Sequence, residues 1–173
     1  MKETLEAIRG MKAENIIGAY AIGDAVGSTF YLEPLATMDV DIFVSFKRQA
    51  DSALISLAQI SSYLKAKGYG FRGEYAIIGG WPVQCLPPAG ALGEEAIAEA
   101  VDTEVEGVPT RVMTAEHLVA LALQLGRAKD HAIILQFIDA GVLDAGKLDA
   151  ILARHGLTAK WAGFEQRFLG RSK

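Results

Sequence analysis

A single cysteine, Cys85, stands among the 173 residues, so no internal disulfide can form and the chain reads as a protein of a reducing compartment. Basic residues are not in excess: 17 Lys plus Arg against 21 Asp plus Glu leave a formal net charge of −4, and no basic run breaks that balance locally. The sequence therefore lacks the electrostatic footprint of a dedicated duplex DNA binder. Apolar runs are short. Leu118 to Leu123 falls far below the ~20 residues that span a bilayer, and Glu3 and Glu6 stand where a secretory leader would carry basic and then apolar residues. A cytoplasmic protein with no membrane partner is expected. His117, His131 and His155 lack the i, i+4 spacing of a helical zinc pair, and one cysteine supplies no thiolate cluster. Pro/Ser-rich linkers, low-complexity tracts and fixed-period repeats are also missing, so a boundary must be sought in a change of pattern.

What is present suffices for a core: 51% of residues are hydrophobic and 22% charged. The pattern changes near residue 114. Before it, Ile16 to Ile22, Met38 to Phe46, Glu74 to Ile78, Trp81 to Leu86 and Val108 to Met113 read as strands between helical stretches; after it everything reads as helix. Two parts follow, 1–113 as a sheet core and 114–173 as a helical segment packed on it. Asp51 is expected to cap a helix with Leu54, Leu57, Ala58 and Leu64 mostly on one face, ended by Gly68. Gly79-Gly80 is a two-residue turn that needs positive φ, which makes its flanking strands antiparallel neighbours. Thr114 and Asp144 are expected to open helices, the second closed by Gly156, with Thr158 as a fresh cap.

Gly68-Tyr69-Gly70-Phe71-Arg72-Gly73 matches G-x-G-x-x-G, yet a helix precedes it and a strand follows, the reverse of a dinucleotide site. A helix stop and an irregular turn are expected there. Cys85, inside a strand with no adjacent cation or helix start, reads as a buried, inert thiol.

The strongest local signal is Met38-Asp39-Val40-Asp41-Ile42-Phe43-Val44. On a strand, Asp39 and Asp41 project from one face roughly 7 Å apart, and paired hard carboxylates suit Mg²⁺ held jointly with substrate phosphates. The competing account is the solvent face of an edge strand. Upstream, Ile16 to Ile22 runs into Gly23-Asp24-Ala25-Val26-Gly27-Ser28, a small-residue turn from which a helix starts and whose amides favour phosphate.

Together these segments resemble the nucleotidyltransferase superfamily, whose signature is a strand ending in Gly-Gly or Gly-Ser, a short helix, an Asp-x-Asp strand and a third acid on a later strand. In particular, the chain resembles small bacterial stand-alone members, toxin-like ones included, that pair this core with C-terminal helices. Ile22 to Val44 carries the core resemblance; Thr37 to Asp41, Ala115-Glu116-His117-Leu118 and Gly126 to Asp130 extend it. The resemblance implies an α+β (α/β) fold with a mixed sheet, flanking helices and a helical C-terminal segment. It further implies transfer of a nucleoside monophosphate from a nucleoside triphosphate, with Mg²⁺ on Asp39 and Asp41. Nucleotide would lie against Gly23, Asp24, Gly27, Ser28, Thr37 and Arg127, with Lys129 as a catalytic cation. Three departures stand out. Asp24 replaces the second small residue of the glycine signature, Gln84 occupies the third-acid position, and Ala122 stands where many relatives have lysine. Glu74 does not replace the missing acid, because the Gly79-Gly80 turn sets it opposite Cys85. Two outcomes stay open: a working transferase whose acceptor is tRNA, protein or a small molecule, or a catalytically degenerate module for nucleotide sensing or protein interaction, as a homodimer or in a toxin–antitoxin-like pair.

Overall fold

The computed structural model describes residues 1–33, 39–46 and 53–170, and for 53–56 the backbone alone. The chain forms two compact units, Met1–Met113 and Thr114–Lys173.

The first unit opens with helix α1 (Lys2–Ala13) and strand β1 (Tyr20–Ile22), then the five-residue helix α2 (Asp24–Ser28) and strand β2 (Val40–Val44). Helix α3 (Ala53–Ala66) leads to β3 (Gly70–Arg72), β4 (Tyr75–Ile78) and β5 (Trp81–Leu86). Helix α4 (Gly90–Ala98) precedes β6 (Val101–Val105) and β7 (Val108–Val112). The strands form one mixed sheet in the order β3-β4-β5-β2-β1-β7-β6. β2 runs antiparallel to β1 and parallel to β5.

Period-two alternation divides the residues of this sheet between two faces. Val40, Ile42 and Val44, all fully buried, share the core face with Tyr20, Ile22, Ala76 and Val83. Against them lie Leu5, Ile8 and Met11 of α1 and Ile60 and Leu64 of α3, spaced three and four apart as one apolar stripe requires. Thr4 is the polar intruder on that stripe, and its hydroxyl donates to the Ile78 carbonyl at 3.1 Å. The opposite face carries Asp41 and Phe43.

Gly79 and Gly80 have φ of 58° and 83°, the left-handed pair a tight hairpin turn demands, and β4 and β5 are antiparallel across it. The expected strands are present, Trp81–Leu86 with its expected bounds and the other four shorter, β1 beginning only at Tyr20. Four elements were not expected: α1, α4, β3 and β6. β3 corrects the irregular turn at Gly68–Gly73, because Gly70 to Arg72 pair with Tyr75 to Ile77 of β4. In α3, Ile60 and Leu64 face the core while Ala58 is exposed; Asp51 and the Leu54 side chain lie outside the described residues.

The second unit contains α5 (Ala115–Leu125), α6 (Ala128–Asp139), α7 (Ala145–Arg154) and α8 (Thr158–Phe168). α5 packs on α6 and α7, and α7 on α8. The Thr114 and Asp144 side chains accept from the amides of His117 and Lys147, as N-caps do. Thr158 is not a cap. The Trp161 amide donates to the carbonyl of buried Leu157, so α8 starts one residue earlier than the sequence suggests. Phe164 of α8 packs on Trp161 and Phe168, and both phenylalanines pack on His131 of α6, with ring centroids 4.9 to 5.7 Å apart. Among the described residues, no helix is long and apolar enough to cross a membrane.

Candidate functional site

Sheet register assembles the site. β5 lies beside β2 with Asp41 abreast of Gln84, and the β1–β2 ladder sets Ile22 against Ile42. One step further along that ladder, Gly23 comes abreast of Asp41, whose carbonyl accepts the Gly23 amide at 3.2 Å. On the other side, the β4–β5 register pairs Ala76 with Val83, and its next step brings Tyr75 to Gln84. Tyr75, Gln84, Asp41 and Gly23 therefore form a row across four adjacent strands, on the face opposite the core. Glu74 falls opposite Cys85 in the same register.

Asp39 is half-buried, one residue ahead of β2, and Asp41 is half-buried within it. Both carboxylates act on Tyr75. Desolvation, then the negative charges of Asp39, Glu74 and Asp41, and a side-chain hydrogen bond to Asp39 push the phenol above its ordinary value. The phenol therefore stays protonated at neutral pH. Asp41 Oδ1 is shut off from solvent.

Gly23 opens the strand-to-helix turn. A Cβ there would meet the Phe43 ring at 2.6 Å and the Met113 sulfur at 3.1 Å, so the glycine is required by packing on the carboxylate face. Beyond it, Asp24 adopts φ of 45°, a left-handed conformation that costs a residue with a Cβ about 1–2 kcal/mol. Asp24→Gly is expected to stabilise the protein by about 1 kcal/mol, read as a raised denaturation midpoint in urea at unchanged slope. A lower midpoint would mean that the Asp24 side chain holds the turn.

Gly27 is buried and its amide closes the first turn of α2 on the Gly23 carbonyl at 2.8 Å. Ser28, 3% exposed, turns its hydroxyl back to the Asp24 carbonyl at 2.9 Å. The end of α2 is tied to β7 through Tyr31, whose hydroxyl donates to the Met113 carbonyl. Thr37 lies outside the described residues.

Arg127 and Lys129 belong to the second unit, at the start of α6. The Arg127 guanidinium meets Asp130 in a fork, Nε to Oδ2 at 2.8 Å and Nη2 to Oδ1 at 2.9 Å, while the Arg127 amide also donates to Oδ2. Lys129 is exposed. Burial raises the Asp130 carboxyl, but the hydrogen bonds and charge of Arg127 outweigh that and hold it below the ordinary carboxylate range. A depressed folded value contributes stability above the unfolded value and loses it as pH falls through the folded one. Asp130→Asn is expected to cost about 1–2 kcal/mol at pH 7, discounted for the half-exposed Arg127 side chain. The deficit against wild type should shrink below about pH 4, measured by urea unfolding at several pH values; a pH-independent deficit would contradict this. The remaining Glu-His-Leu signature serves helix ends: buried Glu116 accepts from the Asp144 amide at 2.9 Å, and His117 Nδ1 lies 2.8 Å from Thr114 Oγ1.

Cys85 keeps some exposure as a residue, while burial of its thiol pushes the group up to about 12. Native protein at pH 8 is expected to resist a disulfide-exchange reagent, with one thiol per chain appearing only in denaturant. Rapid native labelling would overturn this.

A concavity of about 470 Å³ beside α1 is lined by Arg9, Lys12, Tyr20, Thr110 and neighbours along β6 and β7, and contains neither aspartate.

Sequence signals pointed to Asp39, Asp41, Gly23 and Gln84 but not to Tyr75. The count from the Gly79-Gly80 turn that sets Glu74 against Cys85 sets Tyr75 against Gln84 and would have found it.

The chain matches no family model and no curated protein sequence. Its architecture does match solved structures. A crystal structure of ANT(2'')-Ia, an aminoglycoside nucleotidyltransferase, in complex with adenylyl-2''-tobramycin aligns with a TM-score of 0.52 at 17% identity, over 92% of this chain and 97% of that one. A solution structure of the antibiotic-resistance factor ANT(2'')-Ia aligns with a TM-score of 0.51 at 18% identity, over 98% of each chain. The fold is that of a nucleotidyltransferase, a mixed α+β sheet with flanking helices.

Proposed function

We propose that this protein is a Mg²⁺-dependent nucleotidyltransferase that binds a nucleoside triphosphate along the row from Gly23 to Tyr75. The observation that carries the reading is the carboxylate pair beside the strand-to-helix turn: Asp39 and Asp41 act together on one phenol, and Asp41 stands abreast of Gly23. Two hard oxygen donors on one face, one with an oxygen withdrawn from solvent, fit Mg²⁺ better than a softer ion. Bound there, the cation would neutralise charge on the phosphoryl oxygens.

The chain's own part is positioning. The first-turn amides of α2 precede its first intrahelical bond and are the donors offered to the phosphates; the Gly23 amide is engaged in the sheet ladder. Gly27 and Ser28 shape that turn, while Thr37, Arg127 and Lys129 are candidate nucleotide contacts on the strength of the sequence resemblance alone. An acceptor hydroxyl attacks the α-phosphorus and gives up its proton to solvent, the new oxygen–phosphorus bond forms, and the bond to the departing pyrophosphate breaks. Gln84 can hydrogen-bond an acceptor but takes no proton. Because ANT(2'')-Ia was captured with adenylyl-2''-tobramycin, hydroxyl-bearing aminoglycosides are the first acceptors to test.

Gln84 and Asp24 favour a second reading, a module that keeps the fold and binds nucleotide or a protein partner without transfer. Melting curves with each of the four common nucleoside triphosphates, with and without Mg²⁺, on wild type and on the Asp39→Ala/Asp41→Ala double variant, test the site. The ligand-induced shift is compared, since removing two like charges alters the baseline. A Mg²⁺-dependent rise for one nucleotide, lost in the variant, supports the proposed site. No rise with near-millimolar nucleotide and metal favours the second reading, in which a protein partner is sought.

A further inference from the structure

The concavity beside α1 contains neither aspartate and has no part in the function proposed above. We infer that it is a binding site for a phosphate monoester, gripped by Arg9 and Lys12 of α1 beside the hydroxyls of Tyr20 and Thr110.

The two sites stand on opposite faces of the sheet. Tyr20 shares the core face with Ile22, and Thr110 alternates with Val108 and Val112 of the same core cluster, whereas Asp41 lies on the other face. Of the residues lining the concavity, Arg9, Lys12 and Arg111 are cationic and Asp102 alone is acidic. Arg111 is already committed. Its Nε lies 3.4 Å from Asp102 Oδ1, and its Nη atoms donate to the carbonyls of Ile97, Ala98 and Ala100. Among the described residues, neither Arg9 nor Lys12 makes an ion pair, and their three-residue spacing sets them side by side on one helix face. Two uncompensated positive charges therefore meet in one hollow of a chain whose net charge is −4.

The buried side of the concavity supplies an independent feature. Tyr20 and Thr110 are each 3% exposed, and their hydroxyls lie 3.4 Å apart. One proton serves that hydrogen bond, which leaves the other hydroxyl proton without an acceptor among the described residues. A buried donor without an acceptor is costly, and an anion in the concavity would accept it.

Charge and size select the ligand. A phosphate monoester carries about two negative charges at neutral pH, matching Arg9 and Lys12, and its oxygens suit a guanidinium fork. Pro109 and the Tyr20 ring, with Lys12 Nζ 5.9 Å from the ring centroid, give the organic part an apolar wall. A volume of about 470 Å³ lies within the range of small-molecule sites.

The test is titration of isotope-labelled protein with phenyl phosphate, inorganic phosphate and phenol, with amide shifts followed by nuclear magnetic resonance. Wild type, Arg9→Gln/Lys12→Gln and Asp39→Ala/Asp41→Ala are compared, and melting temperatures are measured alongside. Phenyl phosphate should give saturable shifts at Arg9, Lys12, Tyr20 and Thr110, inorganic phosphate should bind there more weakly, and phenol should give none. Arg9→Gln/Lys12→Gln should bind phenyl phosphate at least about 10-fold more weakly at an unchanged melting temperature, since both side chains are exposed. Asp39→Ala/Asp41→Ala should bind it as wild type does, so the nucleotide site can fail without this one. No saturable shift at those four amides, wild-type affinity in Arg9→Gln/Lys12→Gln, or phenol binding as tightly as phenyl phosphate would overturn the inference. Binding lost only in Asp39→Ala/Asp41→Ala would put the monoester on the carboxylate row and overturn it too.

Discussion

Replacing Asp41 by asparagine is expected to lower nucleotidyl transfer by on the order of 10³-fold or more while leaving the protein folded. Asparagine has nearly the shape of aspartate, so the row across β5, β2 and β1 is preserved, but it lacks the charge that draws a divalent cation. Asp41 Oδ1 is also shut off from solvent, so the isosteric amide fits the same space. Asp41→Asn should stay folded without Mg²⁺ and lose the Mg²⁺-dependent rise in melting temperature with nucleotide. Pyrophosphate release and differential scanning fluorimetry read the two effects separately. Full activity in Asp41→Asn would remove the carboxylate pair from the account, and a collapse of the melting temperature would make Asp41 structural.

The second large effect is expected at Gly23. An added methyl group would lie 2.6 to 2.7 Å from two ring carbons of Phe43, and Met113 closes the space behind. Gly23→Ala must push the ring away at a cost of about 1–3 kcal/mol, as overpacking does elsewhere. The displaced ring shares the face and the strand of Asp41, so nucleotide-induced stabilisation should fall together with stability. Adding Phe43→Leu to Gly23→Ala makes room for the methyl. A urea-unfolding double-mutant cycle should show coupling of about 0.5–3 kcal/mol, whereas additive effects would mean that the ring is not what excludes a side chain at Gly23.

How far the sequence could be read depended on how local each signal was. The Asp-x-Asp strand, the Gly79-Gly80 turn and the change of pattern at Thr114 are carried by adjacent residues, and they led to β2, the β4–β5 hairpin and α5. Helix α4 lacked such a signal: it holds two glycines, follows Pro87-Pro88, and is secured by buried Leu92, Ala96 and Ile97. Strand β6 alternates apolar and acidic residues with none fully buried, and its identity comes from pairing with β7 across the Glu106-Gly107 turn. Tyr75 depends on two registers at once, β4 on β5 and β5 on β2. The second is a parallel pairing through a crossover that no short sequence window contains. Gln84 shows the reverse. Its place beside Asp41 was legible as the third-acid position, and the register puts it there, while its chemistry departs from the family pattern.

The most direct test is a crystal structure of the protein grown with Mg²⁺ and a non-hydrolysable nucleoside triphosphate. The predicted result is a cation about 2.0–2.1 Å from oxygens of Asp39 and Asp41, with the triphosphate against the turn from Gly23 to Ser28. Nucleotide bound instead in the concavity between Arg9, Lys12 and Tyr20, with no cation on the aspartates, would contradict it.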